Sequence, residues 1–331
     1  MAMYLEVVAL LYPLRLTVEY LVRVCKDLQL HRKPAYEKFN LRPMESEHRS
    51  RMFWCTFLLD RKLALQLGTT PMFDEKEIEI NEPGSYETSD LVKRESNIAD
   101  PEGPESIMLM KSLIGVSRLI GQIFRLNPQE GSIEHQVVVI EQQLGDIENS
   151  FPQHILDWES SSPLDPMFLD AAMFAMATRL SLYRYFTDAT LTPDFRARCF
   201  LQCLEVAKAT VQLLRRTMKF PDSEKAFRLR QSGLTYQHIF KASTILLLAA
   251  SILPNPENIS SELRTCIGVL QVAAPVRPSV LQNLRILDKL SEILKQEPIL
   301  EWNEGPKTSD SATFPPPDNM RDQDHPSDMI I

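Results

Sequence analysis

Apolar residues recur at three- and four-residue spacing along most of this chain, a period that predicts helices rather than strands. The clearest stripe is Ile133, Val137, Ile140, Leu144 and Ile147, in a helix expected over 131–150. A similar helix is expected over 106–127, separated from it by Asn127-Pro128. Residues 167–187 place Leu169, Met173, Met176, Leu180 and Tyr183 along one side, and residues 194–218 do the same with Cys199, Cys203, Val206, Thr210 and Leu213. Two segments differ in being apolar on nearly every face, which places them inside a packed domain. One is Phe53–Leu67, where only Thr56, Asp60, Arg61, Lys62 and Gln66 are polar; the other is Ile245–Leu253, within a helix expected over 227–253. Residues 3–30 read as one bent helix or two, with Pro13 at the break. Two last helices, 258–272 and 278–296, are separated by Pro275 and Pro278.

The breaks are equally legible. His31–Met44, with Pro34 and Pro43, reads as a loop, as do 81–105 and the Pro-containing connection 151–166 around Trp158. No series of alternating positions suggests a sheet, and no fixed-period repeat is visible. From Trp302 onward the chain is rich in Pro, Asp and Ser, including Pro315-Pro316-Pro317, a composition that cannot recover its ordering entropy by packing. The expectation is an all-α, multi-helix domain over 1–298 and a disordered tail over 299–331.

Residues 45–80 carry the most information. Glu45 and Glu47 precede Arg49 and Arg51 by four residues, the favourable order for pairs on a helix. Asp60 and Arg61 then fall inside the apolar run, where an unpaired charge is costly; the Arg and Glu residues one or two turns upstream are the candidate partners. Gly68 is placed to end the helix at C′, and Pro71 prevents it from resuming. Phe53, Trp54 and Phe57 read as core rather than ligand contacts.

Composition narrows the function. A chain of 331 residues can hide roughly three quarters of its unfolded surface in a core. Gly is scarce, 10 residues against 23 Pro, which disfavours Gly-rich phosphate loops. The net charge of −8 is not that of a nucleic-acid binder. Arg215-Arg216 with Lys219, and Lys225, Arg228 and Arg230, read as solvated helix faces. The opening MAMYLEVVALLYPL lacks the basic residues of a secretory leader, and the apolar run near 250 is too short to span a membrane.

Candidate chemistry is sparse. The five cysteines, Cys25, Cys55, Cys199, Cys203 and Cys266, are odd in number and scattered, which suits a reducing compartment. Cys199 and Cys203 share a helix face but lack the further ligands of a zinc site. Glu45-x-x-His48 has the spacing of one half of a di-iron motif without its counterparts, and reads as a solvated helix start. Ser232-Gly233 reads as a helix start rather than a nucleophile, and Met167, Met173 and Met176 read as packing. No GxSxG, P-loop, GxGxxG or HExxH motif is present, so no catalytic, cofactor or metal residue is assigned.

The order of elements in 28–80 resembles the regulatory, or middle-homology, domain of fungal binuclear zinc-cluster transcription factors. The family's LGLHR-like stretch corresponds to Leu28-Gln29-Leu30-His31-Arg32, and its acidic-basic run to Glu47-His48-Arg49-Ser50-Arg51. Phe53-Trp54, Leu59-Asp60-Arg61, Leu67-Gly68-Thr69-Thr70-Pro71 and Asp74-Glu75-Lys76-Glu77-Ile78 follow in the family's order. The resemblance marks His31, Arg32, Glu47, Arg49, Arg51, Trp54, Asp60, Arg61, Gly68 and Pro71 as structural motif positions. Two departures stand out: Gln29 replaces the family's Gly, and Thr69 replaces its Arg, so that Arg's role does not carry over. Weaker likenesses at Leu180–Arg184, Arg198–Ala207 and Tyr236–Leu248 extend the resemblance over roughly 1–295.

That resemblance implies regulation of transcription in the nucleus, through protein contacts, effector response and self-association as a homodimer, with no membrane role and no catalysis. Its partners would be transcription machinery or regulatory proteins. The family binds DNA and zinc through a six-cysteine module; the five cysteines here, none at C-x2-C spacing, do not make one. The expectation is therefore a truncated product or a free-standing regulatory paralogue, with no cofactor of its own. Two rival readings are a helical scaffold unconnected with transcription and an α-helical enzyme with an unrecognised site. A terpenoid-type enzyme would need a DDxxD-like cluster, which Tyr86-Glu87-Thr88-Ser89-Asp90 does not supply.

Overall fold

The computed structural model describes residues 11–38, 41–84, 105–126, 132–151, 166–218, 233–253 and 257–294. These form ten α-helices and three short 3-10 turns, with no strand among the described residues. The helices are α1 (Leu11–Asp27), α2 (Lys33–Lys38), α3 (Pro43–Leu67), α4 (Glu105–Ile123) and α5 (Ile133–Glu148), then α6 (Pro166–Leu182), α7 (Pro193–Met218), α8 (Gly233–Ile252), α9 (Glu257–Ala273) and α10 (Pro278–Ile293). All belong to one compact unit, Met1–Ile299. The expectations for residues 3–10, for 85–104, for Asn127-Pro128, for the connection around Trp158, for Lys219–Ser232 and for the tail lie outside the described residues.

Local chemistry accounts for the helix ends. Pro43 opens α3, where a missing N–H costs nothing, and Glu45 accepts a hydrogen bond from Arg42 N at 3.1 Å. Gly68 ends α3 at φ 68°, and the N–H groups of Gly68 and Thr69 close on Ala64 O. α1 ends in a Schellman motif: Leu30 N donates to Cys25 O at 2.9 Å and Gln29 N to Lys26 O at 3.0 Å. The C′ residue of that motif is Gln29, at φ 51°, a left-handed conformation that favours glycine. The Gln-for-Gly departure therefore falls on the one position of the segment where a side chain is strained. Pro13 sits in the first turn of α1, which runs from Leu11 to Asp27 without a break.

The core of the first half gathers Leu14, Val18, Val22 and Cys25 of α1 with Phe53, Trp54 and Phe57 of α3, closed by Phe73 and Ile114. The aromatic rings meet edge to face: Phe53–Trp54 at 5.1 Å, Trp54–Phe57 at 5.3 Å and Phe53–Phe73 at 5.2 Å. The stripe read on α5 is confirmed, with Ile133, Val137, Ile140 and Leu144 buried. In the second half, α8 packs against α3, α6, α7, α9 and α10, which explains its apolar circumference.

Three expectations are corrected. The His31–Met44 loop contains helix α2, whose Tyr36 hydroxyl donates to Leu30 O at 2.9 Å. Helix α6 is buried nearly all round rather than along one side: Ala171–Thr178 is an unbroken buried run, because α4, α5, α7 and α8 all pack on it. Arg216 is buried, so the Arg215-Arg216 pair is not simply a solvated face; only Arg215 points outward.

Candidate functional site

Helix α3 brings Trp54, Asp60 and Arg61 to the centre of the first half, and the chain after Gly68 returns across them. The carboxylate of Asp60 accepts from Met72 N at 2.9 Å and Phe73 N at 3.1 Å, and from Arg61 Nη1 at 2.7 Å. Arg61 spreads its other donors outward. Its Nε donates to Ser117 O of α4 at 3.2 Å, and Nη2 to Phe73 O at 3.2 Å and to Glu75 at 3.5 Å. The guanidinium lies 4.2 Å over the Phe57 ring. Both side chains are buried, 1% and 0% exposed, so each charge depends on the other and on backbone groups. Burial pushes the Asp60 carboxyl above the usual carboxylate range, with Arg61 and the two amides pulling against it; burial likewise lowers Arg61.

The need for partners was legible; their identity was not. They come from Arg61 itself, from residues 72–75 and from α4, not from the Arg and Glu residues upstream on α3. Glu47 does pair with Arg51 at 2.8 Å, as its spacing predicts, and also accepts from Gly84 N at 3.0 Å. Glu45 turns back to Arg42 at 2.7 Å, while Arg49 donates to Leu28 O at 3.2 Å and covers the Tyr36 ring.

The motif residues hold residues 69–84 as a strap. Trp54 Nε1 donates to Asn81 O at 2.9 Å, and Glu79 N donates to the carbonyl of buried His31 at 2.9 Å. Pro83, at the edge of the segment read as a surface loop, is buried. Gly68 and half-buried Pro71 turn the chain into the strap, and exposed Arg32 contributes an Nε contact to His31 at 3.4 Å. Eight of the ten motif positions are buried or half-buried, and Arg32 and Gly68 are exposed.

Outside the strap is a layer that sequence reading missed. Arg118 lies 3.4 Å from Glu75, 3.5 Å from Glu82 and 5.3 Å over the Trp54 ring; Arg125 pairs with Asp74 at 3.0 Å. Arg118, Gly121 and Gln122 of α4, with Arg125 in the turn just after it, follow helical spacing on one side, a polar stripe that was the available signal. They line a cleft of about 470 Å³ with Leu126 and with His135, Gln136, Val139 and Ile140 of α5. Farther on, Lys62 of α3 pairs with Asp170 of α6 at 2.7 Å, and Thr235 of α8 donates to the same carboxylate at 2.9 Å.

Elsewhere the candidates read as structure. Among the described residues no group of three His, Cys, Asp or Glu is placed to hold a metal ion, and exposed His48 is not joined to Glu45 in such a group. Burial raises the thiols of Cys199 to about 11 and Cys203 to about 12, so both stay protonated near neutrality. Met173 and Met176 are core residues. No described helix is long and apolar enough to cross a membrane.

Residues 1–153 match the family described as the fungal specific transcription factor domain. The chain is similar to that domain over these 153 of its 331 residues. They hold α1–α5 and the whole strap. The chain is 24% identical over 145 residues, 44% of its length, to the ABC-transporter-regulating transcription factor of Aspergillus fumigatus. It is 24% identical over 206 residues, 58% of its length, to the transcriptional activator protein acu-15 of Neurospora crassa. Over 62 residues, 19% of its length, it is 34% identical to an uncharacterized transcriptional regulatory protein of Schizosaccharomyces pombe. These alignments span 15%, 22% and 9% of the relatives' own lengths. No solved structure matches.

Proposed function

We propose that this chain is a non-catalytic regulatory module of transcription, working in the nucleus through contacts with regulatory proteins or transcription machinery and through response to an effector. The match of residues 1–153 to a fungal transcription factor domain carries this reading, and the printed names of the relatives agree with it. The geometry is compatible with it: the motif residues build a closed, strapped core, and beside the strap lies a cleft lined by Arg118 and Arg125 together with Glu75 and His135. Contact with DNA, and zinc, are assigned to a zinc-cluster module that these five cysteines do not build.

A reporter assay tests the reading. The whole chain, fused to a foreign DNA-binding module with its own nuclear targeting sequence, should change reporter output several-fold relative to the module alone. Output indistinguishable from the module alone, from a fusion shown to be folded and nuclear, would remove the regulatory reading.

A further inference from the structure

The cleft between α4 and α5 has the volume of a small-molecule site, about 470 Å³. Its lining is divided. Leu126, Val139 and Ile140 form an apolar wall, and Val139 stays 40% exposed although nothing polar requires it to be. The polar part of the lining is Arg118, Gln122 and Arg125, with Glu75 and with His135 and Gln136 of α5.

Arg118 is poorly satisfied. Its contacts with Glu75 and Glu82, 3.4 and 3.5 Å, exceed the roughly 2.7–2.9 Å of a charge-assisted hydrogen bond, and its buried Nε makes no hydrogen bond. Glu75 is in the opposite position: it is shared between two guanidinium groups, Arg61 and Arg118. A cation entering the cleft would meet two arginines and one already compensated carboxylate. A carboxylate would find a planar guanidinium able to bond both its oxygens, with a hydrocarbon wall beside it.

We propose that this cleft binds a small organic acid, with one carboxylate on Arg118, supported by Arg125, and an apolar body along Leu126, Val139 and Ile140. The proposal rests on the regulatory reading only in taking the bound acid as an input. Arg118 also touches Glu75, Glu82 and the Trp54 ring, so its engagement by a ligand draws it from the strap and passes occupancy to residues 75–82.

Calorimetric titration of the full chain tests this with 3-phenylpropanoate and octanoate, against 3-phenylpropanamide and inorganic phosphate. At least one acid should bind with a Kd under about 1 mM, about −4 kcal/mol, while the amide and phosphate bind at least tenfold more weakly. Arg118→Gln should weaken the acid at least tenfold. Val139→Trp, a substitution at an exposed position that fills the cleft, should abolish binding and decides the matter if Arg118→Gln does not fold. The proposal is overturned if neither acid binds, if the amide or phosphate matches the acids, or if Val139→Trp leaves affinity unchanged. Binding is read without transcription, so its failure leaves the reporter result standing, and the converse holds.

Discussion

Asp60→Ala removes the anion beside a guanidinium that has no access to water, and leaves Met72 and Phe73 N–H groups unpaired. Breaking a buried pair from one side costs about 3–5 kcal/mol. Asp60→Asn keeps an acceptor for the two amides, so it should lose less, and the difference between the two urea midpoints reports the backbone closure separately from the charge. Equal, small losses in both variants would mean that the strap is held from elsewhere. A second residue-scale effect is a pH dependence. His238 is fully buried; its Nε2 lies 2.8 Å from Thr210 Oγ1, and its Nδ1 has no partner. Burial, with the Lys241 charge, lowers its pKa to about 3, and burial together with Arg32 also lowers His31. The folded state therefore holds both neutral while the unfolded chain takes up protons. The stability so contributed is complete above about pH 6.5 and is lost as pH falls; for His238 the loss continues toward pH 3, at up to about 1.4 kcal/mol per pH unit. His238→Gln should flatten the slope of unfolding free energy against pH across that window; an unchanged slope would show that other groups set the acid limit.

At the scale of elements, the end of α1 and the footing of α3 are the informative places. Gln29 is exposed and left-handed, so its side chain brings strain without a compensating contact. Gln29→Gly should stabilise the protein by about 0.5–1 kcal/mol, the left-handed penalty less the extra chain entropy of glycine. Gln29→Ala should show no such gain, and a gain in both would point away from backbone strain. The last carbonyls of α3 are met by α8: Gln237 Nε2 donates to Gln66 O at 2.7 Å and Lys241 Nζ to Leu65 O at 3.4 Å. With the Lys62–Asp170 pair and Thr235, this ties α3, α6 and α8 together. Lys62→Met and Asp170→Asn, alone and combined, should give a coupling energy of about 1 kcal/mol by denaturant unfolding. Coupling near zero would make the junction one of shape alone.

At the scale of the molecule, the family match ends at residue 153 while the compact unit runs to Ile299. Helices α3, α4 and α5 each pack on α6, and α3 also packs on α8, so the matched segment by itself leaves faces of its own helices open to water. A fragment of residues 1–153 should therefore lack a cooperative thermal transition, whereas 1–299 should melt in one step. A sharp transition in the shorter fragment would establish it as an independent domain and make the second half an addition rather than a completion.

Helix type and most helix positions were determined by the sequence, because the period of apolar residues and the stop at Gly68 and Pro71 express local backbone bonding and the sidedness of burial. The same is true of the burial of Trp54, Asp60 and Arg61, since an apolar helix leaves no wet face for them. What the tertiary structure decided is partnership. Asp60 and Arg61 neutralise each other, and the backbone atoms that complete their hydrogen bonding lie 12 to 56 residues downstream, on a strap and a helix whose return path no spacing on α3 encodes. Arg216 looked solvated in sequence and is buried, and the Arg118 face of α4 was only a polar stripe until α5 closed a cleft beside it. A charge's cost is set by its own segment, and its compensation by whatever the rest of the chain brings within about 3 Å.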